Sequence, residues 1–378
     1  MFWDYFSKKK PTIAIQSTPK ATFTPRRYDS LCKEGYHHNV IVYRCVKLIS
    51  QGIAAIPFLL YEKKNGIQHE ITHHPILNLL AQPSPYQARC AFMEQIISSL
   101  LLAGNAYIEA VCNYDNLPIE LYHLRPDRMT IIPHESGLPW AFEYTVDQRK
   151  RIIHHHHQPY PKVLHLKFFH PLDDWYGMSP LEAAATAIDQ HNTVSAHNLA
   201  LLQNGGRPSG AFIIKSSYLS DEQRSSLRSD LKHIYEGHNN AGKILMLEGD
   251  FSWQEMGLSP KDLDFIEGKN VSAREIAQAF GVPPMLVGVK GDATFSNYKE
   301  ARFHLWEDTI LPLLEFIIAE LNLWLVPYFC QNQMLSIGYD VDHIPALAPK
   351  REAHWAKIQD ASFLSDNEKR EAVGYTPL

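Results

Sequence analysis

The chain has 378 residues, of which 45% are hydrophobic and 20% charged, and a formal net charge of -5. That is ordinary globular composition, able to bury a core, and it excludes broad disorder. The acidic balance excludes a protein that grips nucleic acid through a large basic surface, because such grip comes from Lys and Arg neutralising phosphates; it leaves room for one that nucleic acid slides past.

The five cysteines, Cys32, Cys45, Cys90, Cys112 and Cys330, form no CxxC pair and are expected to be free thiols. The start, MFWDYFSKKKP, places its lysines after a very short apolar stretch, the reverse of secretory-signal order, so a cytosolic protein is expected. Residues 1–35 are rich in Lys, Pro, Thr and Ser and read as a flexible N-terminal arm.

Residues 39–56 carry Val42, Cys45, Val46, Ile49 and Ile53 at helical spacing. Pro57 ends that helix and PFLLYEKK follows as a strand. His74 to Leu80 reads as a short helix that starts through Pro75, and Phe92 to Ala103 as a second, stopped by Gly104-Asn105. The stretches AYIEAV, IELYHL, MTIIP, AFEYTV and KVLHLKFF, separated by Pro, Asn and Gly turns, predict one antiparallel sheet across 105–170.

Four helix starts carry cap signals: Ser179-Pro180-Leu181-Glu182, Ser220-Asp221-Glu222-Gln223, Ser259-Pro260-Lys261-Asp262 and Ser365-Asp366-Asn367-Glu368. In each, a serine oxygen can accept an orphan backbone N–H while the residue three on reaches back. The first helix is expected over 180–204, with small residues that let another helix approach, either of this chain or of a sister copy. A strand at Ala211 to Ile214, a helix over 221–236 and a strand at Lys243 to Leu247 form a compact α/β insertion. The Ser259 helix runs to about Phe280, and a long loop, GVPPMLVGVKGDATFS, follows. The last helix, 297–326, has an apolar stripe that includes Phe303, Trp306, Ile310, Leu314 and Ile317, with a kink expected at Pro312. Its most apolar stretch, 310–327, is interrupted by Pro312, Glu315, Glu320 and Asn322 and is expected to fall short of a membrane span.

No GxxxxGK[ST] loop, strand–GxGxxG–helix unit, GxSxG elbow or HExxH is present. His154-His155-His156-His157, with His165, His170, Asp173 and Asp174 downstream, offers metal-ligand chemistry and a metal-dependent hydrolase or nuclease reading. Four adjacent histidines project in alternating directions, however, and the run before Pro159 and Pro161 reads as an exposed loop. Asp262, Asp264 and Glu267 read as complements to a helix dipole rather than an acid–base pair. No cofactor, metal site or catalytic residue is expected.

Several strings resemble phage portal proteins of the HK97 type. They are Leu102-Ala103-Gly104-Asn105-Ala106-Tyr107, His74-Pro75 followed by Leu79-Leu80, Tyr176-Gly177-Met178-Ser179-Pro180-Leu181, Phe280-Gly281-Val282-Pro283-Pro284 and Phe363 to Arg370. They follow the family's order over about 40–375; the histidine run is not part of that pattern. The resemblance implies a ring-forming, multi-region α+β portal fold: an α/β wing (36–178), a stem helix (179–207), a small α/β clip (208–256), a second stem helix (257–280), a tunnel loop (281–296), a long kinked wing helix (297–345) and a short C-terminal crown region (346–378).

The function it implies is a channel of about twelve copies at one capsid vertex, for packaging and ejection of double-stranded DNA without sequence specificity. Its implied partners are the terminase large subunit, the major capsid protein or scaffold and a head–tail connector, with no membrane. The virion would be assembled in the bacterial host cytoplasm. Within that frame the tunnel loop would present Val287, Gly288, Val289, Lys290, Gly291, Asp292, Ala293 and Thr294 to DNA. The clip would dock the motor through Ser220, Glu222, Arg224, Arg228 and Lys232. Ala184, Ala185, Ile188, Phe303, Trp306, Ile310, Leu314 and Ile317 would pack between subunits. Another phage assembly adaptor is the remaining alternative.

Overall fold

The computed structural model describes residues 23–64, 67–135, 139–154, 160–203, 210–214, 222, 225, 251–255, 265–289, 295–330, 334–341 and 344–374. The described residues before position 36 have defined structure. A helical turn α1 (Tyr28–Leu31) runs into a π-helical turn at Cys32–His37. Thr24 donates through its backbone N–H to Asp189 at 3.0 Å, and Arg26 donates to the Glu182 carbonyl at 2.6 Å. These contacts correct the expected arm: its last third is strapped to the chain, because its polar side chains meet partners on the helices near 182–189.

Helix α2 (Val40–Ala55) is capped by Asn39, whose Oδ1 accepts from Ile41 and Val42. Its buried face, Val42, Cys45, Val46, Ile49 and Ile53, matches the 3.6-residue spacing. Strand β1 (Phe58–Lys64) pairs antiparallel with β2 (Ile67–Glu70) on one side. On the other it pairs with β11 (Leu335–Tyr339), Leu60 opposite Ile337. Helix α3 (Pro75–Ala81) is capped by His74 Nδ1, and α4 (Arg89–Ala103) ends at Gly104 in the left-handed conformation, φ 70°.

The strands of 105–170 form two sheets, not one. The first has the order β4 (Pro118–Leu124), β3 (Asn105–Cys112), β8 (Val163–Lys167); the second has β5 (Met129–Pro133), β6 (Pro139–Val146), β7 (Arg149–His154). A 3-10 turn at Pro126–Arg128 turns the chain between them, so β5 stacks over the first sheet rather than extending its edge. β3 serves both cores by strict alternation. Ala106, Ile108 and Ala110 join the main core, while Tyr107 meets Phe142 edge-on, centroids 5.9 Å apart, in the second. Glu109, buried on that same face, accepts a two-pronged pair from Arg151 of β7 at 2.9 and 2.6 Å. His154 closes β7, so the histidine run begins in a strand rather than a loop; His155, His156 and His157 lie outside the described residues.

Ser179 caps α5 (Pro180–Ala183), its Oγ accepting from Glu182 N–H at 3.0 Å. After a break at Ala184, α6 (Ala185–Gln203) packs against α7 (Phe265–Ala279). Strands β9 (Gly210–Ile214) and β10 (Phe251–Glu255) pair antiparallel. The Ser220 and Ser259 caps and the strand at 243–247 lie outside the described residues.

The long helical run comprises α8 (Phe295–His304), a π-helical turn (Leu305–Ile310) and α9 (Leu311–Trp324). The backbone irregularity thus sits just upstream of Pro312, where the proline lacks an N–H to continue the ladder. The 32-residue run Asn297–Tyr328 is long and apolar enough to cross a membrane by length and composition, against the shorter span expected from 310–327. Its apolar face, Ile310, Leu314, Ile317, Leu321 and Leu325, is buried in the main core against β8, β11 and α2. The polar interruptions have partners there: Asn322 trades two hydrogen bonds with Ile337 of β11, and Tyr339 donates to Glu315 at 3.1 Å. Two further helices, α10 (Ala348–Asp360) and α11 (Asp366–Ala372), close the chain; Ser365 and Glu368 form the expected capping box.

Candidate ring and channel elements

The strings around Gly104 and Gly177 meet in space. Gly177 N–H donates to Asn105 Oδ1 at 2.8 Å and Asn105 Nδ2 donates to the Gly177 carbonyl at 3.2 Å. The two glycine backbones touch, and a Cβ on either would overlap the other's carbonyl. This junction fixes where the chain leaves strand β8 and starts the helix capped by Ser179.

A second junction holds the start of the loop assigned to the channel. Gly281, φ 67°, follows α7, and its carbonyl accepts from Thr309 Oγ1 at 2.6 Å within the π-helical turn. Val282 and Leu286 are buried, and a 3-10 turn (Pro284–Val287) leads to Gly288, φ 85°. Val289 is 9% exposed and Val287 packs on the main core. That burial corrects the expectation for these two side chains, which face the chain's own interior. The loop is therefore pinned through Val289; Lys290, Gly291, Asp292, Ala293 and Thr294 lie outside the described residues.

Of the residues considered for packing between copies, Ala184, Ala185, Ile188, Ile310, Leu314 and Ile317 are buried within this chain. Small side chains along 185–188 let α7 of this chain approach α6, so these residues pack within the chain. Phe303 and Trp306 are half-buried. The far end of α6 instead exposes Leu199 and Leu202, and α7 exposes Ile266 and Val271. Of the clip residues, Glu222 is exposed and helical, while Ser220, Arg224, Arg228 and Lys232 lie outside the described residues.

The described candidate metal ligands are dispersed into structural roles; His155, His156 and His157 lie outside the described residues. His154 packs edge-on against Trp140, and His165 stacks on Tyr107 while Nε2 meets Asn105 Oδ1 at 2.9 Å. His170 Nδ1 accepts from Leu172 N–H, and Asp173 Oδ1 accepts from the N–H groups of Trp175 and Tyr176. No group of three potential ligands converges among the described residues.

The perturbed titrations are structural too. His123, hydrogen-bonded to Ser99 Oγ at 2.8 Å, is pushed down to about 4 by burial, with Arg125 adding to the shift. Burial, then Lys269, also lowers His191, whose Nδ1 meets Asn39 Nδ2 at 3.2 Å in a buried polar link between α2 and α6.

Comparison with known proteins agrees with this geometry. Residues 40–374 match the family described as phage portal protein. An uncharacterised protein of Rickettsia bellii (strain RML369-C) is 46% identical over 349 residues, 90% of this chain and 88% of that protein. The probable portal protein of Streptomyces phage phiC31 is 26% identical, covering 89% of this chain and 74% of that one. A chain in the neck of a native gene transfer agent particle, computed with C12 symmetry, is 42% identical with TM-score 0.72 and covers 94% of this chain and 96% of its own. With a family match over residues 40–374, nearly its whole length, this chain belongs to the phage portal protein family.

Proposed function

We propose that this chain is one protomer of a closed ring of about twelve copies, set at one vertex of a phage or phage-like capsid, through which double-stranded DNA is packaged and ejected. The likeness over 94% of the chain to a subunit of a C12-symmetric particle neck carries this reading. The net charge of -5 supports it, because tight phosphate binding would stall translocation. Residues 290–294 form the DNA-facing part of the loop, held at one end by the Val289 and Gly281–Thr309 anchors.

In the stem, sister copies meet through Leu199, Leu202, Ile266 and Val271, the apolar side chains that this chain leaves uncovered. The 208–256 insertion docks the terminase large subunit, which supplies ATP hydrolysis. The major capsid protein or scaffold and a head–tail connector are the remaining partners, and assembly takes place in the bacterial host cytoplasm. We read the chain as a structural subunit rather than an enzyme.

Deleting residues 290–294 tests the channel assignment. Rings of unchanged size are expected, with packaged DNA reduced at least about tenfold in an in vivo packaging assay. Unchanged packaging contradicts the loop assignment, and failure of the unaltered chain to form rings contradicts the portal reading.

A further inference from the structure

The segment between β8 and α5 presents two apolar side chains on a rigid mount. Phe169 is 85% and Leu172 91% exposed. The backbone around them is held at each end: Phe168 N–H donates to the Gly104 carbonyl at 2.9 Å, and Gly177 N–H donates to Asn105 Oδ1. Between these, Leu172 N–H donates to His170 Nδ1 at 3.0 Å, and Asp173 Oδ1 collects the N–H groups of Trp175 and Tyr176 at 2.7 and 3.0 Å. A loop tied at this many points loses little freedom on binding, which removes a cost of association. Phe168 contacts Phe316, centroids 6.3 Å apart, and Leu323 lies exposed two turns further along the same helix face.

The same chain carries a concave surface that nothing described fills. A groove of about 750 Å³ lies between α8 and the start of α10, with Phe303, Pro345, Ala346 and Pro349 in its apolar wall. Lys299, Arg302 and Lys350 line it together with the carboxylates of Glu300 and Glu352, and Lys350 is itself paired with Glu307, so Lys299 and Arg302 are the basic groups it offers. The exposed loop is acidic: Asp174 is exposed beside Asp173, whose carboxyl is held below the usual range chiefly by the Tyr176 and Trp175 N–H groups. Phe303 and Phe316 stand roughly 20 Å apart along the helical run and about a third of a turn round it. The projection and the groove therefore face different ways.

A closed ring needs such an arrangement, because its contacts are head-to-tail and join two different surfaces of identical chains. We infer that Phe169 and Leu172 of one copy seat in the groove beside Phe303 of the next copy, with Asp173 and Asp174 facing Lys299 and Arg302. This rests on the ring reading and adds which surfaces meet.

Mixed cysteine pairing tests it in the full-length chain. One variant carries Leu172→Cys and another Pro345→Cys, both with the exposed Cys90 replaced by Ser. Mixed and mildly oxidised, the two should yield a linked pair at least about tenfold more abundant than in either variant alone, with the 172–345 disulfide identified by mass spectrometry. Rings that form without that link overturn the contact and leave the portal reading standing; absence of rings in the unaltered chain overturns both. In parallel, Phe169→Asp with Leu172→Asp should leave the melting profile unchanged, since both side chains are exposed, and lower the ring fraction at least about tenfold. An unchanged ring fraction contradicts the proposal.

Discussion

Asn105 and Gly177 hold each other across 72 residues of sequence by two hydrogen bonds, the carboxamide of one completing the backbone of the other. Both residues are buried, so neither group has water to fall back on. Asn105→Ala leaves a backbone N–H and a carbonyl unsatisfied and should cost about 3 kcal/mol. A lowered urea midpoint checks this, and an unchanged one contradicts it. Gly177→Ala should be worse, because its Cβ has no space beside the Gly104 carbonyl.

The Gly281–Thr309 junction predicts a coupled pair. A Cβ at Gly281 would lie 2.7 Å from Thr309 Oγ1 on a backbone with φ 67°. Gly281→Ala should cost about 2 kcal/mol, Thr309→Ala about 1 kcal/mol, and the double variant less than their sum, because removing Oγ1 relieves the clash. A double-mutant cycle on unfolding free energies reads the coupling, and strict additivity would contradict the contact.

His123 predicts a pH dependence. Its ordinary value of 6.5 falls to about 4 in the folded chain, so the unfolded chain binds the extra proton between those values. Stability is therefore full above pH 6.5 and declines as pH falls toward 4, by at most about 3 kcal/mol from this group. His74 and His191, also lowered first by burial, act in the same direction. His123→Gln should shrink the loss between pH 7 and pH 4.5 in denaturant titrations. An identical loss in the variant would contradict the assignment.

The Ser365 capping box holds α11, whose described residues are all exposed or half-buried and so contribute little packing. Ser365→Ala should cost that helix about 1 kcal/mol. Amide exchange over Asp366–Ala372 should accelerate about fivefold while exchange in α2 stays constant; uniform acceleration would contradict a local role.

Elements written in local signals were legible from the sequence. The Ser179 and Ser365 caps, the helix start at Pro75 and the buried spacing of α2 all lie within a few residues of what they determine. The division of 105–170 into two sheets was not legible, because it depends on Tyr107 meeting Phe142 and Glu109 meeting Arg151 across the stack. The pairing of β1 with β11 joins strands at opposite ends of the chain, and no local pattern specifies it. The π-helical turn carries no side-chain signature apart from the proline that follows it. The burial of Val289 was not legible either, because a glycine-rich loop reads as uniformly exposed, whereas Pro283 and Pro284 fold its first half back onto α7 and the long helix.

The central claim is that copies of this chain close into a ring around a hole. Electron-microscopic class averages of the purified full-length protein test it most directly. The account predicts ring-shaped particles with rotational symmetry, about twelve subunits and an open axial channel. Single compact subunits at every concentration and salt, with no channel, would contradict it.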